Sequence, residues 1–156
     1  MCVSCAQLGD SCFFVQCFGQ ELHTETIEDA TSAVFDETIF LKAEKVTPDE
    51  LNSLSVRIQA YDMNTFARHS MIGQNSIGLA HLYHVENRRM LKRWFALGDP
   101  KRSDEGVQGY ALVSLQICGP SDTQLPMDEP LPPGAESMVV RPPSIKAVQK
   151  YLVVSI

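Results

Sequence analysis

The run LSVRIQAY at residues 54–61 alternates without a break. Leu54, Val56, Ile58 and Ala60 fall on one side of an extended chain, and Arg57 and Gln59 fall on the other. Successive side chains of a strand point to opposite faces, so a period of two marks a strand with one face buried and one wet. Such a strand needs neighbours at its edges and a second layer over its apolar face.

The rest of the first 118 residues supplies them as short runs separated by turns, the pattern of a β-sandwich. CFFVQCF (12–18) and ELHTETI (21–27) flank Gly19-Gln20, a hairpin signal. VFDETIFLKA (34–43) reads as the next strand, QNSIGLA and RWFAL as later ones, and GYALVSLQIC (109–118) closes the set. Two helical insertions are expected. In TPDEL, Thr47 is the cap, Pro48 takes the first helical position, and Glu50 follows the cap by three residues. HLYHVENRRMLK reads as the second, with Leu82, Val85 and Met90 turned inward. His81 and His84 are three apart there, but without a carboxylate or cysteine partner they read as surface or packing residues.

Composition changes after Cys118. Residues 119–144 hold seven of the nine prolines and cannot build a core, so they read as an extended linker. The chain then turns strand-like in KYLVVSI, which ends at residue 156 with no partner in its own neighbourhood. Three parts are expected: a sandwich over 1–118, the linker over 119–144, and a C-terminal strand within 145–156.

A net charge of −6 argues against nucleic-acid binding. Attraction to an anionic surface would need a local patch, and Arg88, Arg89, Lys92, Arg93, Lys101 and Arg102 are the candidates, with a solvated basic face as the plainer reading. No apolar run approaches the roughly 20 residues that cross a bilayer. The start MCVSCAQLGD has no basic opening and no long apolar stretch, so it does not read as a signal peptide, and cytoplasmic exposure is expected. The five cysteines therefore read as reduced. Cys2 and Cys5 have zinc-knuckle spacing, but Cys12 and Cys17 do not repeat it and read as small buried hydrophobes. No Gly-rich phosphate loop, HExxH or GxSxG is present, so no enzyme is expected.

The stretch GDSCFFVQCFGQELHTETIEDATSAVFDETIFL resembles the opening of a C2 domain, with Asp10, Thr24 or Thr26, and Glu37 at the places of that pattern. VRIQAYDMNTFARHSMIG is similar to the family's third binding loop, including the Ile72-Gly73 that follows it. RWFALGDP…GVQGYALVSLQICGPSD is similar to the ending of N-terminal C2 domains in ferlins. The resemblance covers residues 9–122. It implies an all-β, eight-stranded antiparallel C2-type β-sandwich with short helical insertions. The family's opening Leu-x-Val-x-Val strand has no counterpart at the N-terminus, so the first strand is expected to be missing there. KYLVVSI is similar to that strand, and in ferlins such a strand follows a linker and begins the next C2 domain. Residues 150–156 are therefore expected to fill the empty place, in cis or swapped from a second copy.

The resemblance also implies a calcium cup. Asp10 stands at the second ligand position of the first loop and Asp62 at the first of the third loop. Asn64 and Ser70 replace later aspartates, and the first aspartate of the first loop has no counterpart. Calcium takes six to eight oxygens, and neutral donors draw it weakly, so binding is expected to be absent or weaker than about 10⁻³ M. No cofactor is expected. Asp62 and Asn64 also suit plain turn chemistry at a strand end. At the loop tip Phe66, Arg68 and His69 combine an aromatic with cationic residues, a set that suits insertion at a headgroup interface; a phenylalanine folded onto its own loop is the other reading. Two functions are expected from this. One is a membrane-associated module of ferlin type in vesicle traffic or fusion, peripheral to membranes or part of a longer membrane-anchored chain. The other is a calcium-independent protein-interaction module of a larger protein. Its partners are phospholipid membrane, proteins, or a strand-swapped second copy.

Overall fold

The computed structural model describes residues 2–5, 10–28, 32–35, 37–63, 69–119, 122 and 152–155, with backbone alone at 2–5, 32, 103 and 152–155. Its strands are β1 (Cys2–Cys5), β2 (Ser11–Cys17), β3 (Gln20–His23), β4 (Ser32–Val34), β5 (Thr38–Phe40), β6 (Ser55–Asp62), β7 (Ser70–Gly78), β8 (Arg89–Gly98), β9 (Val107–Gln116) and β10 (Leu152–Ser155). Hydrogen-bonded neighbours run β3-β2-β6-β7-β8-β9-β1-β4, and β10 pairs with β9 and β5.

One pair alone joins β7 to β8, Gln74 opposite Gly98. There the sheet turns over on itself, so that β3, β2, β6 and β7 form one layer and the strands from β8 onward form the other. Beyond that pair, the Asn75 side chain donates to the Ala96 carbonyl at 2.7 Å. Gly73 backs directly onto the second layer: a Cβ there would meet the Leu97 carbonyl carbon at 2.9 Å and Gly98 N at 3.0 Å. The two layers enclose one core. Phe13 and Val15 of β2, Val56, Ile58 and Ala60 of β6, and Ala111, Val113 and Leu115 of β9 are each at most 1% exposed. The alternation in the sequence is therefore the inward stripe of β6.

Turn and cap chemistry falls where residue type requires it. Between β2 and β3, Phe18 and Gly19 both have positive φ (52° and 71°), the backbone of a tight hairpin turn. Helix α1 (Pro48–Ser53) carries the full capping box: Thr47 Oγ1 accepts from Glu50 N–H, and the Glu50 carboxylate accepts from Thr47 N–H at 2.8 Å. Those bonds hold the Glu50 carboxyl below its ordinary pKa. Where β3 ends, Thr24 takes over the ladder. Its N–H donates to Phe13 O at 2.9 Å and its hydroxyl oxygen accepts from Phe13 N–H at 3.0 Å. Thr24→Val keeps the shape and removes that acceptor from a site 1% exposed. The expected loss is about 1–3 kcal/mol, read as a lower urea midpoint at unchanged slope.

Several strands differ in extent from the sequence expectation. The first strand, expected to be missing at the N-terminus, is present: residues 2–5 form β1, because the long strand β9 offers Gly109–Leu112 as an edge and β4 offers Ser32–Val34 on the other side. The single strand expected over 34–43 is two, β4 and β5, which pair with different neighbours. At the break, Glu37 leaves the ladder and its carboxylate accepts from Glu25 N–H at 2.9 Å. The second helix stops early. Helix α2 (Leu79–His84) buries Leu79 and Leu82, but Val85 is extended (φ −71°, ψ 149°), and Asn87 and Arg88 at positive φ (56° and 49°) turn the chain into β8, where Met90 lies.

Cys12 and Cys17 are buried, at 1% and 3% exposure, and desolvation pushes both thiols up from their ordinary pKa. The thiolate is the nucleophile, so burial makes both inert. Mass mapping after iodoacetamide treatment at pH 8 is expected to find Cys118, which is half-buried, alkylated in the native protein and Cys12 and Cys17 alkylated only on unfolding.

Candidate functional site

The inward stripes of β2 and β6 run to the end of the sandwich where β6 opens into the loop after Tyr61. By period two, Ser11 continues the stripe of Phe13 and Val15, and Asp62 continues that of Val56, Ile58 and Ala60. The two are register partners, and Asp62 is also the register partner of Ser70 across β7. A bulge makes this so. The register shifts between Ala60 and Tyr61, leaving Ile72 as the extra residue and bringing Ser70 opposite Asp62 in place of Met71. Asp10 joins the row from the start of β2, its carbonyl accepting from Met63 N–H at 2.6 Å. Ser11 exchanges two backbone hydrogen bonds with Ile27, at 2.8 and 2.9 Å, which ties the next loop to the same end.

Asp62 Oδ1 is buried and has no hydrogen-bond partner among the described residues. A carboxylate oxygen at the mouth of an apolar core, facing a serine on each side, is a seat for a donor or a cation. Among the described residues, however, no three of His, Cys, Asp and Glu gather closely enough to hold a metal. Asp10, Asp62 and Ser70 are thus brought together, and His69 is exposed beside Ser70. Asn64, Phe66 and Arg68 lie outside the described residues. Reading the sequence missed Ser11, 5% exposed, whose inward place follows from extending the β2 alternation by one step.

The six basic residues do not form one patch. Arg89 pairs with Gln116, Arg93 with Val113 and Gly98 with Val107, so Arg88 and Arg89 sit at one end of β8, Lys92 and Arg93 lie along its middle, and Lys101 and Arg102 follow its other end. The two ends of this ten-residue strand are roughly 30 Å apart. Arg88 is also engaged, bonding Asp122 at 2.8 Å and lying 5.3 Å from the Tyr83 ring centre. Arg102 bonds Asp99 at 2.9 Å and Glu105 at 2.9 Å. The Arg102 guanidinium, helped by the Lys101 N–H, holds the Asp99 carboxyl below its ordinary pKa. His81 and His84 are both exposed on α2, His84 against the Tyr83 ring.

Comparison with known proteins agrees with this geometry. The C2 domain family profile matches residues 7–97. Ferlin 2 of Tetrahymena thermophila is 38% identical over 101 residues, 64% of this chain and 6% of that protein. Myoferlin of Xenopus tropicalis is 28% identical over 104 residues, 67% of this chain and 5% of that protein. The chain thus spans about one-twentieth of those relatives. Among solved structures, the C2A and C2B domains of Extended-Synaptotagmin 2 superpose with a TM-score of 0.52 at 19% identity, covering 70% of this chain and 36% of that one.

Proposed function

Since the chain belongs to the C2 domain family, we propose that it is a non-catalytic, membrane-associated module of ferlin type whose loop end meets phospholipid without a firmly bound calcium ion. The observation that carries this is the row at the mouth of the core. It gathers Asp10, Asp62 and Ser70 at one end of the sandwich, beside the loop that contains Phe66, Arg68 and His69. Two carboxylates and a hydroxyl supply less negative charge than a firm calcium site requires. Association then rests on the loop itself, an aromatic that enters the interface and cations that meet anionic headgroups. No helix among the described residues is long and apolar enough to cross a membrane. Work in vesicle traffic or fusion, at the cytoplasmic side and as part of a larger membrane-anchored protein, is the role this reading supports.

Cosedimentation with phosphatidylserine-containing vesicles tests it. Binding is expected in chelator and in millimolar calcium alike, to fall at least several-fold with Phe66→Ala, and to weaken with salt. A protein that stays in the supernatant under every condition would leave the second reading, a calcium-independent interaction module. The exposed edge strand β3, with all four residues exposed, favours that reading as a docking edge for another domain.

A further inference from the structure

The lane beside β9 is filled by two different strands laid end to end. Gly109–Leu112 pair with β1, which runs antiparallel, Cys5 opposite Gly109 and Cys2 opposite Leu112. At the next residue the neighbour changes: Val113–Gln116 pair with β10, which runs parallel, Leu152 opposite Val113 and Ser155 opposite Gln116. The far side of the lane divides at the same level. Strand β4 pairs with β1, and β5 with β10, Val153 opposite Thr38 and Ser155 opposite Phe40.

Strand β10 is therefore not an edge strand. Val153, Val154 and Ser155 are paired on both sides, Leu152 on the β9 side, and its neighbours Ile39, Val113 and Leu115 belong to the core. An empty place there would leave two facing rows of unpaired N–H and C=O groups inside the sheet, which is an insistent template for a strand. Nothing in the pairing depends on which copy of the chain supplies it. Residues 117–151 join β9 to β10, and fully extended they reach on the order of 110 Å. A parallel connection needs only a dozen or so residues. Reciprocal exchange between two copies makes the same backbone bonds and fills both slots, giving a closed two-fold dimer with neither slot left empty.

We propose that the half-lane between Val113–Gln116 and Thr38–Phe40 is an exchangeable strand slot, filled by residues 152–155 of the same chain in dilute solution and by those of a second copy when protein is concentrated or refolded. The balance between the two follows effective concentration, which for a tethered segment is on the order of millimolar. This is independent of the membrane reading.

Two introduced cysteines test it. Thr38 and Val153 are register partners, and neighbouring strands lie about 4.8 Å apart, within the span a disulfide bridges. The double variant Thr38→Cys, Val153→Cys is expected to close an intrachain bond when oxidised in dilute solution. The two single variants, mixed, unfolded, refolded together near millimolar concentration and oxidised, are expected to give a covalent heterodimer on non-reducing gels. Its yield should exceed at least tenfold the dimer that either variant gives alone through its native cysteines. Light scattering of the unmodified protein after the same treatment should show twice the chain mass. A double variant that closes its intrachain bond while the mixture yields no excess dimer would overturn the proposal, because the strand then belongs to its own chain alone. Failure of the double variant to close would overturn it as well, since the register would be wrong.

Discussion

Gly73→Val is expected to cost about 3 kcal/mol or more of unfolding free energy, at the upper end of what overpacking does. The reason is where the new atoms go. The first added carbon meets main-chain atoms of the opposite layer, the Leu97 carbonyl carbon at 2.9 Å and Gly98 N at 3.0 Å. Main chain cannot rotate aside as a side chain can, so the layers must separate at the corner where Gln74–Gly98 is the one register pair between β7 and β8. Gly98→Ala is the matched control across the same corner, because a Cβ there meets only Gly106 O at 3.6 Å, an ordinary contact. Urea titrations of the two variants should therefore differ widely in midpoint. Equal midpoints would mean that the corner yields and that Gly73 is not required by packing.

The second large effect concerns the cup. Replacing Asn64 and Ser70 together by aspartate is expected to tighten calcium binding by roughly 10–100-fold, from a baseline weaker than about 10⁻³ M. The argument is one of charge and place. Ser70 of β7 already faces Asp62 of β6, so Ser70→Asp sets a carboxylate against the buried Asp62 Oδ1, which has no partner among the described residues. Without calcium that pair repels, and directly opposed like charges in a sheet are destabilising. The variant should melt below the parent in chelator and recover in millimolar calcium, as a ligand that binds only the folded state requires. Calorimetric titration gives the affinities. A parent protein that saturates at micromolar calcium would contradict the account, since two carboxylates would then suffice.

Much of this was legible in the chain. The period of two in LSVRIQAY placed Val56, Ile58 and Ala60 in the core, and Thr47-Pro48-x-Glu50 placed a capped helix, because both are local rules written in residue order. The family resemblance located Asp10, Asp62 and Ser70, and the pairing of β2, β6 and β7 brings them to one end. Other features were closed to such reading. The six basic residues look like one cluster in sequence but are strung along β8 from one end to beyond the other, because a strand of ten residues carries them apart. The helix after Gly78 stops at His84, because Val85 takes extended backbone, and two residues at positive φ then turn the chain into β8.

Local alternation, caps and turn residues are determined by the sequence alone, since each depends on residues a few positions apart. Which strands share an edge is decided only by the tertiary structure. The bulge that aligns Ser70 with Asp62, the corner that requires Gly73, and the lane divided between β1 and β10 all arise from segments far apart in the chain. Backbone hydrogen bonds carry no residue label, so competition for the long edge of β9 is settled only when every layer is in place.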